Sequence, residues 1–145
     1  MSEDRRSWLS LLARANGEAL ERLWAATRLM PDYSVLRAPE IGGVMARGRT
    51  GATGAPFNLG EVTVTRCSIQ LGTGEVGHGY VQGRDKAKAR QVAVIDAMLQ
   101  TDAHAGIERD VLAPLRSVEA EHRAARAAKA AATKVNFFTM ARGQN

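Results

Sequence analysis

Between residues 33 and 82 the apolar residues follow a period of two, while on either side they recur at helical spacing. A single β block between two helical blocks points to an α+β fold, with helices covering an antiparallel sheet. The clearest strand is Glu61 to Leu71, where Val62 and Val64 are apolar at even positions and Cys67, Ile69 and Leu71 at odd ones. A bulge near Thr65-Arg66 would reconcile the two phases and re-aim Arg66. Tyr33 to Arg37 and Ile41 to Arg49 read as two short strands around Ala38-Pro39-Glu40. Gly72-Thr73-Gly74-Glu75 reads as a hairpin connection into Val76 to Gln82. The expectation is a sheet of about four strands.

In the N-terminal block, Ser7 reads as a helix cap before Trp8, Leu9, Leu11, Leu12 and Ala15. Asn16-Gly17 breaks that run, and Leu20, Leu23, Trp24 and Thr27 start a second one that Pro31-Asp32 ends. After the sheet, Asp85 to Gln100 has the strongest helical pattern, with Asp85 as cap and Val92, Ile95, Met98 and Leu99 as the buried stripe. A further helix is expected from about Gly106 to Lys134, interrupted or restarted near Pro114. The chain of 145 residues therefore reads as one domain, 1–145: helices over 7–30, sheet over 33–82, helices over 84–134 and an apolar tail over 135–145. No apolar run approaches the roughly 20 residues that cross a bilayer, and Met1 to Arg6 has no apolar core of a signal peptide. With a lone cysteine, Cys67, an intramolecular disulfide is excluded, and the expected location is the cytoplasm with no membrane partner.

The charge is basic, +5, and sixteen of the twenty basic residues are arginine, whose planar fork matches phosphate and carboxylate groups. Catalytic signatures are missing. The loop Thr50 to Pro56 lacks the Gly-Lys-Ser/Thr ending of a nucleotide-cradling loop, and His78, His104, His122 and Cys67 show no metal-ligand spacing. No catalytic residue and no metal site is assigned. Three other features stand out. Arg47, Arg49 and Arg66 flank the glycine-containing loop, as a clamp for phosphate or carboxylate groups or as protection of a sheet edge. Arg84, Lys86 and Lys88 crowd the start of a helix, where the dipole disfavours cations, as anion or partner contacts or as solvated charges. Phe137, Phe138, Met140 and Arg142 lie in a C-terminal segment that either folds back on its own sheet or docks on another subunit.

These features occur together in a known pattern. Arg49 to Gly54 with Phe57-Asn58-Leu59-Gly60-Glu61, Thr63-Val64-Thr65-Arg66, Gly83-Arg84-Asp85-Lys86, the Ile95-Asp96-Ala97 region and Val135 to Gly143 with its Phe-Phe-Thr-Met core follow one another in order. The chain resembles, from about Trp8 to Asn145, the G-subunit family (PhnG) of carbon–phosphorus lyase. Ala52 stands where that family usually has Gly, and Asn136 where it often has Asp. The resemblance implies phosphonate use as a phosphorus source, in a core assembly with H, I and J subunits. With an L subunit, that assembly exchanges the adenine of ATP for methylphosphonate. It also implies a non-catalytic or co-catalytic companion within a multi-protein transferase, inactive alone, with no cofactor of its own and ATP as a substrate of the assembly. A rival reading is a double-stranded-RNA-binding protein, because helix, strands and Gly83-Arg84-Asp85-Lys86-Ala87-Lys88-Ala89 opening a helix resemble that domain, and the isoelectric point is near 10.0.

Overall fold

The computed structural model describes residues 3–49, 54 and 56–143. Two helices, α1 (Glu3–Arg14) and α2 (Gly17–Thr27), precede strands β1 (Tyr33–Arg49), β2 (Pro56–Leu71) and β3 (Val76–Gln82). Helix α3 (Lys86–Met98) follows, then the short α4 (His104–Ile107), a π-helical turn (Glu108–Leu112) and the long α5 (Ala113–Gly143). Among the described residues no helix is long and apolar enough to cross a membrane.

The sheet is antiparallel with order β1-β2-β3, three strands among the described residues, close to the about four expected. Ala38-Pro39-Glu40 is not a turn: β1 runs through it, with register shifts between Val35 and Arg37 and between Arg37 and Glu40. Bulges leave residues unpaired, and β1 is an edge strand, so the N–H that Pro39 lacks is not needed there. The bulge expected near Thr65-Arg66 lies on the neighbouring strand: β2 pairs with β3 without interruption from Val64↔Gln82 to Gln70↔Val76, and the register shift beside Arg66 is in β1, between Arg37↔Ser68 and Glu40↔Arg66. The phase slip has another cause. Thr65, Cys67, Ile69 and Leu71 form one continuous buried row, and Thr65 joins it because its hydroxyl donates to the Gly83 carbonyl at 2.7 Å. Val62 and Val64 belong to the opposite face.

Helix α1 begins at Glu3, so Ser7 lies inside the helix instead of capping it. Asp4 occupies its first turn, where a negative side chain suits the helix dipole. Its apolar face is as expected: Trp8, Leu11 and Leu12 are buried. Asn16 caps α2 by accepting from the Ala19 N–H at 3.0 Å, and α2 stops at Thr27, with Arg28 in the left-handed conformation (φ 59°). Asp85 caps α3 by accepting from the Lys88 N–H at 3.0 Å. Pro114 has no N–H for the carbonyl four residues earlier, and the π-helical turn ends two residues before it, at Leu112.

Helix α3 lies across β2 and β3, and it comes unusually close. A Cβ on Gly77 would sit 1.8 Å from the Ala93 carbonyl oxygen, and one on Gly79 would sit 1.9 Å from that of Ala89. Two glycines facing Ala89, Ala93 and Ala97 thus let helix backbone rest on strand backbone. Leu12, Leu20, Ile69, Val81, Ile95, Ile107 and Leu112 fill the core around this contact.

The outer edge of β3 is closed by side chains. Asp96, fully buried on α3, accepts from the His78 N–H at 2.9 Å, from Trp8 Nε1 at 2.8 Å and from Arg5 through Nε at 3.1 Å and Nη2 at 2.9 Å. Arg5 Nη2 and Gln100 Nε2 both donate to the Val76 carbonyl. The opposite edge, β1, has no strand partner among the described residues.

Arg14 and Glu119 tie α1 to the base of α5, with Nε donating to the carboxylate at 2.7 Å. That hydrogen bond holds the Glu119 carboxyl below its ordinary range. A lowered folded-state value means stability present above the unfolded value and lost as pH falls through the folded one. Both groups are largely solvated, so Glu119→Gln is expected to cost a few tenths of a kcal/mol near pH 7. Urea midpoints at pH 7 and pH 3 check this, with the difference between wild type and variant vanishing at the lower pH.

Candidate functional site

The structure separates the arginines that flank the glycine-containing loop. Arg66 lies opposite Glu40, whereas Arg47 lies opposite Asn58, seven residues further along β1. That is roughly 23 Å at strand rise. By alternation along β1, Arg47 also points to the other face of the sheet from Arg66. Arg49 ends β1, and its side chain lies outside the described residues, as do residues 50–53.

The basic start of α3 also divides. Arg84 and Lys86 are exposed, but Lys88 turns inward and its Nζ donates to the Ala13 carbonyl at 2.8 Å. Burial pulls the Lys88 ammonium below its ordinary value, against the opposing pull of Asp85. Lys88 therefore caps the end of α1, leaving Arg84 and Lys86 as the outward-facing charges of this group. Phe137, Phe138, Met140 and Arg142 lie on the last turns of α5, where the backbone stays helical to Gly143; their side chains lie outside the described residues. A separate tail conformation after Lys134 is thus not what the backbone adopts. From Ala120 to Lys134 every residue of α5 is exposed, on all sides of the helix. Those fifteen residues project about 22 Å at helical rise.

The uncovered face of the sheet holds a group that sequence reasoning assembled only in part. Leu36, Arg37, Arg66, Ser68, His78 and Tyr80 surround a cavity of about 500 Å³ floored by the backbone of β2 and β3. Cross-strand pairing makes two adjacent rows, Arg37–Ser68–His78 and Glu40–Arg66–Tyr80. The Arg66 guanidinium lies 5.9 Å from the centre of the Tyr80 ring, within cation–π range. Ser68 Oγ and His78 Nδ1 are 2.9 Å apart. Among the described residues neither Arg37 nor Arg66 has an ion-pair or hydrogen-bond partner. Arg37, His78 and Tyr80 escaped the sequence reading because cross-strand register, and not spacing along the chain, brings them to Arg66.

Chemically this face offers cationic and hydrogen-bond donors more than a nucleophile. The Ser68–His78 pair has no carboxylate on the imidazole ring among the described residues. Cys67 points to the buried side, where burial pushes its thiol up, against the influence of Arg90. His104 is structural: Nδ1 meets the Leu99 carbonyl at 2.7 Å, and its ring meets Trp8 edge-on at 5.4 Å. Apolar surface is exposed around the sheet as well, at Val35, Leu36, Ile41 and Met45 of β1, at Phe57 and at Tyr80.

Two comparisons bear on these features. The family model for the phosphonate metabolism protein PhnG matches residues 3–143. The chain is 46% identical over 142 residues to the alpha-D-ribose 1-methylphosphonate 5-triphosphate synthase subunit PhnG of Rhizobium meliloti (strain 1021). That match covers 97% of this chain and 90% of the relative.

Proposed function

The chain belongs to the PhnG family of phosphonate metabolism proteins, and from that premise we propose that it is a companion subunit of a carbon–phosphorus lyase core assembly. The observation that carries this reading is the 46% identity, sustained over 97% of the chain, to a synthase subunit. The assembly would contain H, I and J subunits and act with an L subunit in the cytoplasm. It would join a methylphosphonate oxygen to the ribose of ATP as the glycosidic bond breaks and adenine leaves. ATP is then a substrate of the assembly, and this chain holds no cofactor of its own.

Two structural features support a companion role. From Ala120 to Lys134 the projecting part of α5 buries no surface against the described residues, so a partner packed on it would add stability that alanine propensity alone does not supply. The exposed Val35, Leu36, Ile41, Met45 and Phe57 provide apolar surface of the kind that subunit contacts cover. In this reading Phe137, Phe138, Met140 and Arg142 dock on a partner, while Arg47, Arg49, Arg84 and Lys86 contact a partner's carboxylates or an anionic substrate.

Omission from a reconstituted assembly tests the activity. With ATP and methylphosphonate supplied, adenine release should require this chain together with the other subunits, and the chain alone should release none. Adenine release at full rate without it would remove the chain from the reaction.

A further inference from the structure

The cavity on the uncovered face of the sheet combines donors that nothing else in the described structure uses. Two guanidinium groups, Arg37 and Arg66, approach it from adjacent cross-strand rows, and neither has an anionic partner. Their rows are two residues apart along β2, roughly 7 Å. Each guanidinium carries five N–H donors in a fixed fork. Tyr80 lies beneath Arg66 and limits its freedom, so less side-chain entropy is lost when a ligand is gripped. His78 adds a further donor. When the Ser68 hydroxyl donates to Nδ1, the ring proton resides on Nε2, which has no partner among the described residues.

Counting charges gives the sign of the ligand. The ionisable groups on this face around the cavity are Arg37, Arg66, Glu40, His78 and Tyr80. Glu40 is the cross-strand neighbour of Arg66 yet forms no ion pair with it. The face is therefore net cationic at neutral pH, with both guanidinium groups free to bond. Counting oxygens gives the shape. A carboxylate is satisfied by one arginine fork, whereas two forks and an imidazole donor suit a tetrahedral oxyanion that presents three oxygens.

We infer that Arg37, Arg66, His78 and Tyr80 form an oxyanion site that takes the phosphonate or phosphate group of a small molecule. The site itself follows from the geometry. Naming a phosphonate among tetrahedral oxyanions rests on the family reading. The group could come from a free alkylphosphonate or from the phosphate chain of a nucleotide, since the chemistry recognised is the same.

Titration of the full-length chain, by calorimetry and by NMR of the His78 ring at low salt, tests this. Methylphosphonate, inorganic phosphate, ATP and acetate serve as separate probes. Saturable binding of methylphosphonate and phosphate is expected, with the His78 signals moving. Arg37→Ala and Arg66→Ala should each weaken binding about tenfold or more, the loss expected for a charge-assisted hydrogen bond. Arg22→Gln, on the far side of the fold, should leave it unchanged, and urea midpoints confirm that the variants are folded. Tighter binding of ATP than of methylphosphonate, still lost in Arg66→Ala, would make the nucleotide the source of the group. Binding that survives both arginine substitutions, no saturable binding, or acetate competing equally would overturn the site. Co-purification with a large partner subunit is scored separately. Co-purification without oxyanion binding sinks this inference alone, and binding without co-purification sinks the companion reading alone.

Discussion

Gly77→Ala and Gly79→Ala are each expected to destabilise the chain by about 3 kcal/mol or more, the upper range for overpacking a close-packed interior. A new methyl on Gly77 would lie 1.8 Å from the Ala93 oxygen and 2.8 Å from the Ala97 nitrogen. On Gly79 it would lie 1.9 Å from the Ala89 oxygen. These neighbours are helix backbone, which cannot rotate away as a side chain does, so α3 as a whole would have to lift off the sheet. Gly42→Ala is the control, because a Cβ there has nothing within 4 Å. It should stay within about 0.5 kcal/mol of wild type. Urea denaturation of the three variants decides the matter. Equal midpoints for all three would mean that α3 does not rest on the glycines of β3.

Asp96→Ala is the second large effect. Asp96 receives hydrogen bonds from Arg5, Trp8 and the His78 backbone while fully buried. Removing the carboxylate leaves an indole N–H and a strand-edge N–H without their acceptor and takes the counter-charge from the partly buried Arg5 guanidinium. Breaking a buried ion pair from one side typically costs about 3–5 kcal/mol. Asp96→Asn keeps the volume but removes the charge and sets an amide N–H against donors, so it should lose about 2 kcal/mol. The order expected in thermal or urea melts is wild type, then Asn, then Ala. An Ala variant as stable as wild type would show that the side-chain closure of the β3 edge contributes little.

The parts legible in the sequence were those set by local chemistry. Asn16 and Asp85 cap helices because a short polar side chain before an apolar periodic run can satisfy a free N–H. The hairpin at residues 72–75 follows from its glycines, with Gly74 at φ 109°. What misled were residues whose meaning depends on tertiary context. Pro39 reads as a break, yet an edge strand with bulges tolerates it. Thr65 reads as polar and out of phase, yet its hydroxyl is satisfied by the Gly83 carbonyl and it sits in the core row. Val135 to Gly143 reads as a change of character, but the preceding alanine-rich run carries the helix through it.

The candidate site was legible only where charge is unusual in sequence. Arg66 stands out by its charge beside the glycine-containing loop, whereas Arg37, the last residue of the first expected strand, becomes its neighbour only through β1–β2 register. Lys88 looked like part of a basic cluster, yet its 2.8 Å bond to the Ala13 carbonyl turns it inward. Asp96 gave no signal as a hub, because its three donors come from α1 and β3.

Companionship through the projecting helix is most directly tested by affinity purification of the tagged chain from cells grown on methylphosphonate as sole phosphorus source. Full-length chain and a variant lacking residues 135–145 are compared. The exposed stretch from Ala120 to Lys134 separates that segment from the core, so the variant should keep the wild-type urea midpoint. A large partner subunit is expected in fixed ratio with the full-length chain and should be lost on truncation. A chain that emerges alone, or with duplex RNA in its place, would contradict it.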